Sequence, residues 1–197
     1  MTDVSMIRQF LEGAPVAELT GEEFSGLADR KSIVHAVREL YSVFNYESVN
    51  PEIGKVRLTK SGINDSMRHG YGREKLSAFA AVPKIVEKGM LVVENTDWKA
   101  RGYQSFVLAA PISIAGEPYF ALVVVNRMQN GDQNFYLHEV GRISDIKNTA
   151  EGLRSGLVTA DDKVDPSFGS MKSIALSVFR VNRESVNPQI GETGRNS

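Results

Sequence analysis

The chain has 197 residues, 42% hydrophobic and 24% charged, with 23 basic and 24 acidic side chains and a formal charge of −1. That balance fits one globular domain with tails and excludes a coiled coil, a collagen-like chain and a fully disordered chain. There is no cysteine, so disulfides and thiolate zinc sites are excluded, and His35, His69 and His138 are the only histidines.

The first 15 residues read as an N-terminal arm, with a short helix over 5–12. Their order lacks the basic-then-apolar pattern of a secretory leader. No stretch nears the ~18 apolar residues of a membrane span, and the longest apolar run is Tyr119 to Val125. The expectation is a cytoplasmic protein, of the producing or a target cell, with no membrane contact, metal or cofactor.

VAELTGEEF (16–24) sets Thr20 three residues before Glu23, the pattern of a capping box. A helix over about 30–45 follows from Ile33, Val34, Val37, Leu40, Tyr41 and Phe44 at helical spacing, with His35 on the solvent side. NYESVNPEIG (45–54) reads as turn sequence. KVRLT (55–59) alternates as a strand, and 61–70 fits a short helix closed by Gly70. A longer helix over 73–88 carries Pro83, which should kink or split it, and Gly89 should end it as a C′ residue.

From Met90 the period drops towards two. Strands are expected at about 90–97, 103–114, 118–128 and 133–142, joined by AGEP (115–118) and by a turn holding Asn130-Gly131. The plan is α+β: N-terminal helices packed on a four-stranded antiparallel meander, as a domain over 16–145. Residues 146–197 read as a flexible C-terminal tail, or as the start of a truncated second unit. The second reading comes from an echo: ESVNPEIG (47–54) recurs as ESVNPQIG (184–191), each preceded by SVF.

Charge is unevenly placed. Residues 1–54 carry net −5 and residues 55–104 net +5. Between Lys55 and Lys75 six basic residues meet two acidic ones, which is either solvated surface or a phosphate-facing patch. On a helix Asp65 and Ser66 can share one face with His69, where a carboxylate would raise the basicity of the imidazole. Lys60, Arg68, Arg73 and Lys75 flank them, with Ser61 beside Lys60. An acid–base pair among cations is what metal-free RNA cleavage needs. In FYLHEV (135–140), strand alternation puts Tyr136 and His138 on one face and Glu139 with Phe135 and Leu137 on the other. If helices cover the Phe135 side, Tyr136 and His138 form the floor of an open face, with Trp98, Tyr103 and Tyr119 as stacking surfaces for bases.

The order VAELTGEEF, a helix, GKVRLTKSGINDSMRHG, REKLSAFAAVPKIVEKG, YFALVVV and FYLHEV resembles the large polyvalent-protein-associated domains of phages and mobile elements. That group is related to the barnase–EndoU–colicin–RelE-like nucleases. The resemblance implies helices on an antiparallel sheet and a metal-independent, toxin-like or processing ribonuclease. It implies a catalytic set of His69, His138, Lys75 and Tyr136, with Lys60, Ser61, Ser66, Arg68 and Arg73 binding substrate. RNA is the partner it implies, with an immunity or host protein as another. The alternative expectation is a non-catalytic protein-binding module, a counter-defence or effector piece, that uses the exposed sheet face.

Overall fold

The computed structural model describes residues 9, 11–68, 70–95 and 103–144. His69, Trp98 and the expected tail or second unit at 146–197 lie outside the described residues. The first described strand is β1 (Glu18–Leu19), which leads into the Thr20 turn. There Glu23 accepts the backbone N–H of Thr20 at 2.5 Å, and Thr20 Oγ1 accepts the N–H of Glu22 at 3.1 Å.

Helical periodicity becomes helix α1 (Arg30–Ser42), opened by Asp29, whose side chain accepts the N–H of Ser32. Ile33, Val34, Val37 and Tyr41 face the core. Tyr41 is fully buried, and its hydroxyl donates to the carbonyl of Phe79 at 2.9 Å. Burial without a charge partner holds the Tyr41 phenol well above the usual tyrosine range.

Residues 45–54 are not simply a turn. Asn45 and Tyr46 adopt left-handed φ of 52° and 57°, which reverses the chain and starts a hairpin of β2 (Glu47–Asn50) and β3 (Gly54–Arg57). The Asn50 side chain makes the hairpin tight. Its Oδ1 accepts the N–H groups of Glu52 and Ile53, and its Nδ2 donates to the carbonyls of Val86 and Gly89. A side chain supplying the turn's hydrogen bonds explains why turn-rich sequence still forms a strand.

Helix α2 (Lys60–Arg68) follows, with Thr59 Oγ1 accepting the N–H of Gly62 at its start. The expected helix over 73–88 is split into α3 (Arg73–Ala78), a 3₁₀ turn (Phe79–Ala81) and α4 (Val82–Lys88). Pro83 sits in the first turn of α4, where its missing N–H leaves no bond unmade. Gly89 ends α4 in extended rather than left-handed conformation. A Cβ there would lie 2.3 Å from the carbonyl oxygen of Ile85, so close approach is its reason to be glycine.

Strands β4 (Met90–Asn95), β5 (Gln104–Ile114), β6 (Glu117–Arg127) and β7 (Gln133–Arg142) follow one another with antiparallel pairing. The sheet is nevertheless not a four-stranded antiparallel meander. It is a mixed sheet of seven strands in the order β1-β5-β6-β7-β3-β2, with β4 sharing the outer edge of β5 with β1. The β1–β5 and β3–β7 pairs are parallel. They take up backbone groups that β5 and β7 would otherwise leave bare at their outer edges.

Against the helices the sheet presents Phe106, Leu108, Ala110, Ile112, Val123 and Val125, which pack with Tyr41, Phe79, Ile85 and Val86. The opposite face is not open either. Val107, Ala109, Phe120, Leu122 and Val124 are buried there with Leu11. The runs FVLAA and YFALVVV are apolar without alternation, which is how strands covered on both sides read.

Candidate functional site

Strand β7 holds the site. Leu122 of β6 pairs with Glu139, but its neighbour Val123 pairs with Leu137, so His138 is an extra residue in a β-bulge. Phe135 and Leu137 face the core before the bulge, and Val140 packs on that same core after it. Glu139 therefore does not share the side of Phe135 and Leu137 as strict alternation predicts, because the inserted residue shifts the pattern and puts it opposite Leu122. Tyr136 and His138 do come together. Their rings meet edge to face, with centroids 5.8 Å apart and planes at 85°. The floor they were expected to form is only partly open, since Tyr136 packs against the apolar cluster of that face while both residues keep some exposure.

Two helices close on the outer edge of β7. Helix α2 approaches at Gly62, where a Cβ would stand 2.3 Å from the carbonyl oxygen of Phe135. One turn later Ser66 accepts the N–H of Leu137 at 2.7 Å and donates to the carbonyl of Gly62 at 2.6 Å. Ser66 is 0% exposed with its hydroxyl engaged twice, so it does not contact substrate as expected and instead seals the strand edge. From α3, Lys75 Nζ donates to the His138 carbonyl at 3.1 Å. Partial burial pulls the Lys75 amine below the ordinary lysine range, and the Glu139 carboxylate partly opposes this. Burial pushes the Tyr136 phenol up to about 12, with Tyr103 and the Asp65 carboxylate adding to the rise. The structure thus gathers Ser66, Lys75, Tyr136 and His138 around one bulge.

Asp65 borders this cluster through its effect on Tyr136, and the other expected residues lie elsewhere. Asp65 pairs with Arg68 at 3.2 Å on the exposed side of α2. Ser61 Oγ lies 2.9 Å from Thr59 Oγ1 at the start of that helix. Arg73 is held away from the bulge: its Nε donates to the carbonyl of Gly21 at 3.1 Å, and its guanidinium pairs with Glu22. It pins the Thr20 turn to α3. Tyr119 is buried beneath Arg142 and is no stacking surface. Lys60 is exposed at the start of α2, on the side towards α1.

There it borders a groove of about 450 Å³ that also takes Arg30, Lys31, His35 and Arg38 from α1, over a floor of Val34. Reading His35 as plain solvent-facing surface missed this groove. The signal was present: positions 30, 34 and 38, and 31 with 35, recur at four-residue intervals with no acidic residue among them.

No helix among the described residues is long and apolar enough to cross a membrane. No curated protein and no solved structure matches the chain significantly. The family model of large polyvalent protein-associated domain 3 matches residues 28–136, from just before α1 into β7, which is more than half of the sequence. With its helices, its mixed sheet and the β7 bulge inside or bordering that span, the chain belongs to the large polyvalent protein-associated domain 3 family.

Proposed function

We propose that this domain is a metal-independent, ribonuclease-like module of a phage or mobile-element protein, of the barnase–EndoU–colicin–RelE-like group. The observation that carries the reading is the bond from Lys75 Nζ to the main-chain carbonyl of His138, whose ring meets that of Tyr136, across 63 residues of chain. In this reaction the 2′-oxygen of a ribose bonds to the adjacent phosphorus and the 5′-oxygen leaves, giving a 2′,3′-cyclic phosphate. One imidazole takes the 2′-hydroxyl proton and another group returns a proton to the 5′-oxygen. His138 fills one role and His69 the other. Lys75 has three N–H donors, and the His138 carbonyl takes one, so the others can serve phosphate oxygens as charge builds on them. Tyr136, with its phenol near 12, stays protonated at neutral pH and acts as a hydrogen-bond donor rather than as a base.

Labelled RNA incubated in EDTA tests the reading. The wild-type protein is expected to cleave, and His138→Ala to lose at least about 100-fold in rate while keeping its circular dichroism spectrum. No cleavage by the wild type, or equal cleavage by the variant, overturns it.

A pH profile adds a second expected result. An amine held below the 10.5 of an ordinary lysine loses its proton sooner as pH rises. Activity should therefore fall on the alkaline side before pH 10.5, and Lys75→Arg, which stays charged, should extend the plateau upward. The same displacement means the unfolded chain binds more protons at Lys75 between the two values, so Lys75's contribution to stability rises with pH across that window.

A second reading, a non-catalytic protein-binding module, has one observation in its favour. Val43, at 77% exposure, follows α1, Tyr46 is exposed just before β2 and Val49 within it, and β2 is the terminal strand of the sheet.

A further inference from the structure

We infer that the groove between α1 and α2 binds the phosphate backbone of a single-stranded nucleic acid. The argument starts from charge pairing. Elsewhere on the domain Lys55 pairs with Glu47, Arg57 with Asp132, Arg68 with Asp65, Arg73 with Glu22, and Lys84 with Glu87. Among the described residues no carboxylate lies within ion-pair distance of Arg30, Lys31, Arg38 or Lys60. Yet these four share one groove of about 450 Å³ with His35. Of the two acids that adjoin these cations in sequence, Glu39 makes no ion pair with them, and Asp29 caps Ser32 through both carboxylate oxygens while also feeling the charge of Lys31. Four cations gathered without an ion pair repel one another, and an anion laid along the groove relieves that repulsion.

Two of the cations are already held in place. Arg30 donates to the backbone oxygen of Asn64 at 2.8 Å and to its side-chain oxygen at 3.2 Å, both from one terminal nitrogen, which leaves the other guanidinium donors to serve an anion. Asn64 is itself fixed by a bond to the Lys60 carbonyl. The Arg38 guanidinium lies 5.5 Å over the exposed ring of Tyr46. Fixing these side chains beforehand lowers the ordering cost of binding. It also favours nucleic acid over an acidic peptide, because planar guanidinium groups match phosphate oxygens and the neighbouring Tyr46 ring gives a base a surface to stack on. A chain of net charge −1 thus carries a local site for a polyanion. This inference is independent of cleavage at the bulge.

The test is fluorescence anisotropy on the full chain, with a labelled DNA single strand of about twelve nucleotides, which has no 2′-hydroxyl to be cleaved. The quadruple variant Arg30→Gln, Lys31→Gln, Arg38→Gln, Lys60→Gln should bind at least tenfold more weakly. Its dependence of log affinity on log salt should be shallower by about 2 to 3, since each phosphate no longer neutralised removes about 0.7 from the slope. Lys31→Gln and Lys60→Gln alone, whose side chains are exposed, should each give part of that loss. Lys84→Gln with Lys88→Gln, on α4, should leave binding unchanged. The inference is overturned if the wild type does not bind, if the groove variants bind as the wild type does, or if the α4 control loses as much. It is also overturned if a polyglutamate peptide binds as tightly as the strand.

Discussion

Replacing Gly62 by alanine is expected to destabilise the domain by about 3 kcal/mol or more, read as a fall in melting temperature of about 10 °C. The added Cβ would stand 2.3 Å from the Phe135 carbonyl oxygen and 2.8 Å from its ring. Neither can yield. The oxygen belongs to the β7 backbone, and the ring is buried against Tyr41 with centroids 5.8 Å apart. If α2 is pushed off β7, the Ser66 bond to the Leu137 N–H goes with it, leaving a buried donor bare. Gly72→Ala is the control: the Cβ there meets only the end of Glu74, at 3.5 Å, and should cost less than about 1 kcal/mol. Equal melting temperatures for Gly62→Ala and the wild type would show that the helix does not ride this close to the strand.

An effect of similar size is expected at Asn50. Asn50 is 1% exposed, and its side chain makes four hydrogen bonds, two that close the turn of the β2–β3 hairpin and two that join it to the end of α4. Asn50→Asp keeps the oxygen that serves Glu52 and Ile53 but turns a second oxygen towards the carbonyls of Val86 and Gly89. The loss should be about 3 kcal/mol at pH 7, as a donor becomes a buried charge facing two acceptors. The new carboxyl would have a raised pKa in the folded state, so the folded chain takes up protons first. Stability of the variant should then recover as pH falls towards about 4, while the wild type shows no such recovery. A chemical denaturation series over that range reads both outcomes, and a pH-independent deficit would remove the assigned bonds from the explanation.

The legible parts of the fold were those written in local periodicity. The 3.6-residue spacing of Ile33, Val37 and Tyr41 marked α1, and the dipeptide Asn130-Gly131 marked the β6–β7 turn. What escaped depends on partners far along the chain. β1 has two residues and exists through its pairing with Ser113 and Ile114. β2 hides in turn-forming sequence because Asn50 supplies bonds from its side chain. Among the site residues, residue type was a fair guide to place but a poor one to role. Ser66 and Lys75 do reach β7, yet each bonds to its main chain, and Arg73 is spent on the carbonyl of Gly21. No spacing rule encodes a bond across more than 50 residues. The bulge was partly visible: Phe135, Leu137 and Val140 are spaced by two and then by three.

That one-residue hiccup makes β7 a strand of two halves in opposite phase. Deleting His138 would do more than remove an imidazole. It would bring Glu139 next to Leu137 and close the bulge, so that Val123 and Leu122 face consecutive residues while Val140 keeps its place on the core and Arg142 its seat over the Tyr119 ring. The position is therefore spare to the ladder, and what it adds is the bend of the strand and the chemistry of the side chain it carries.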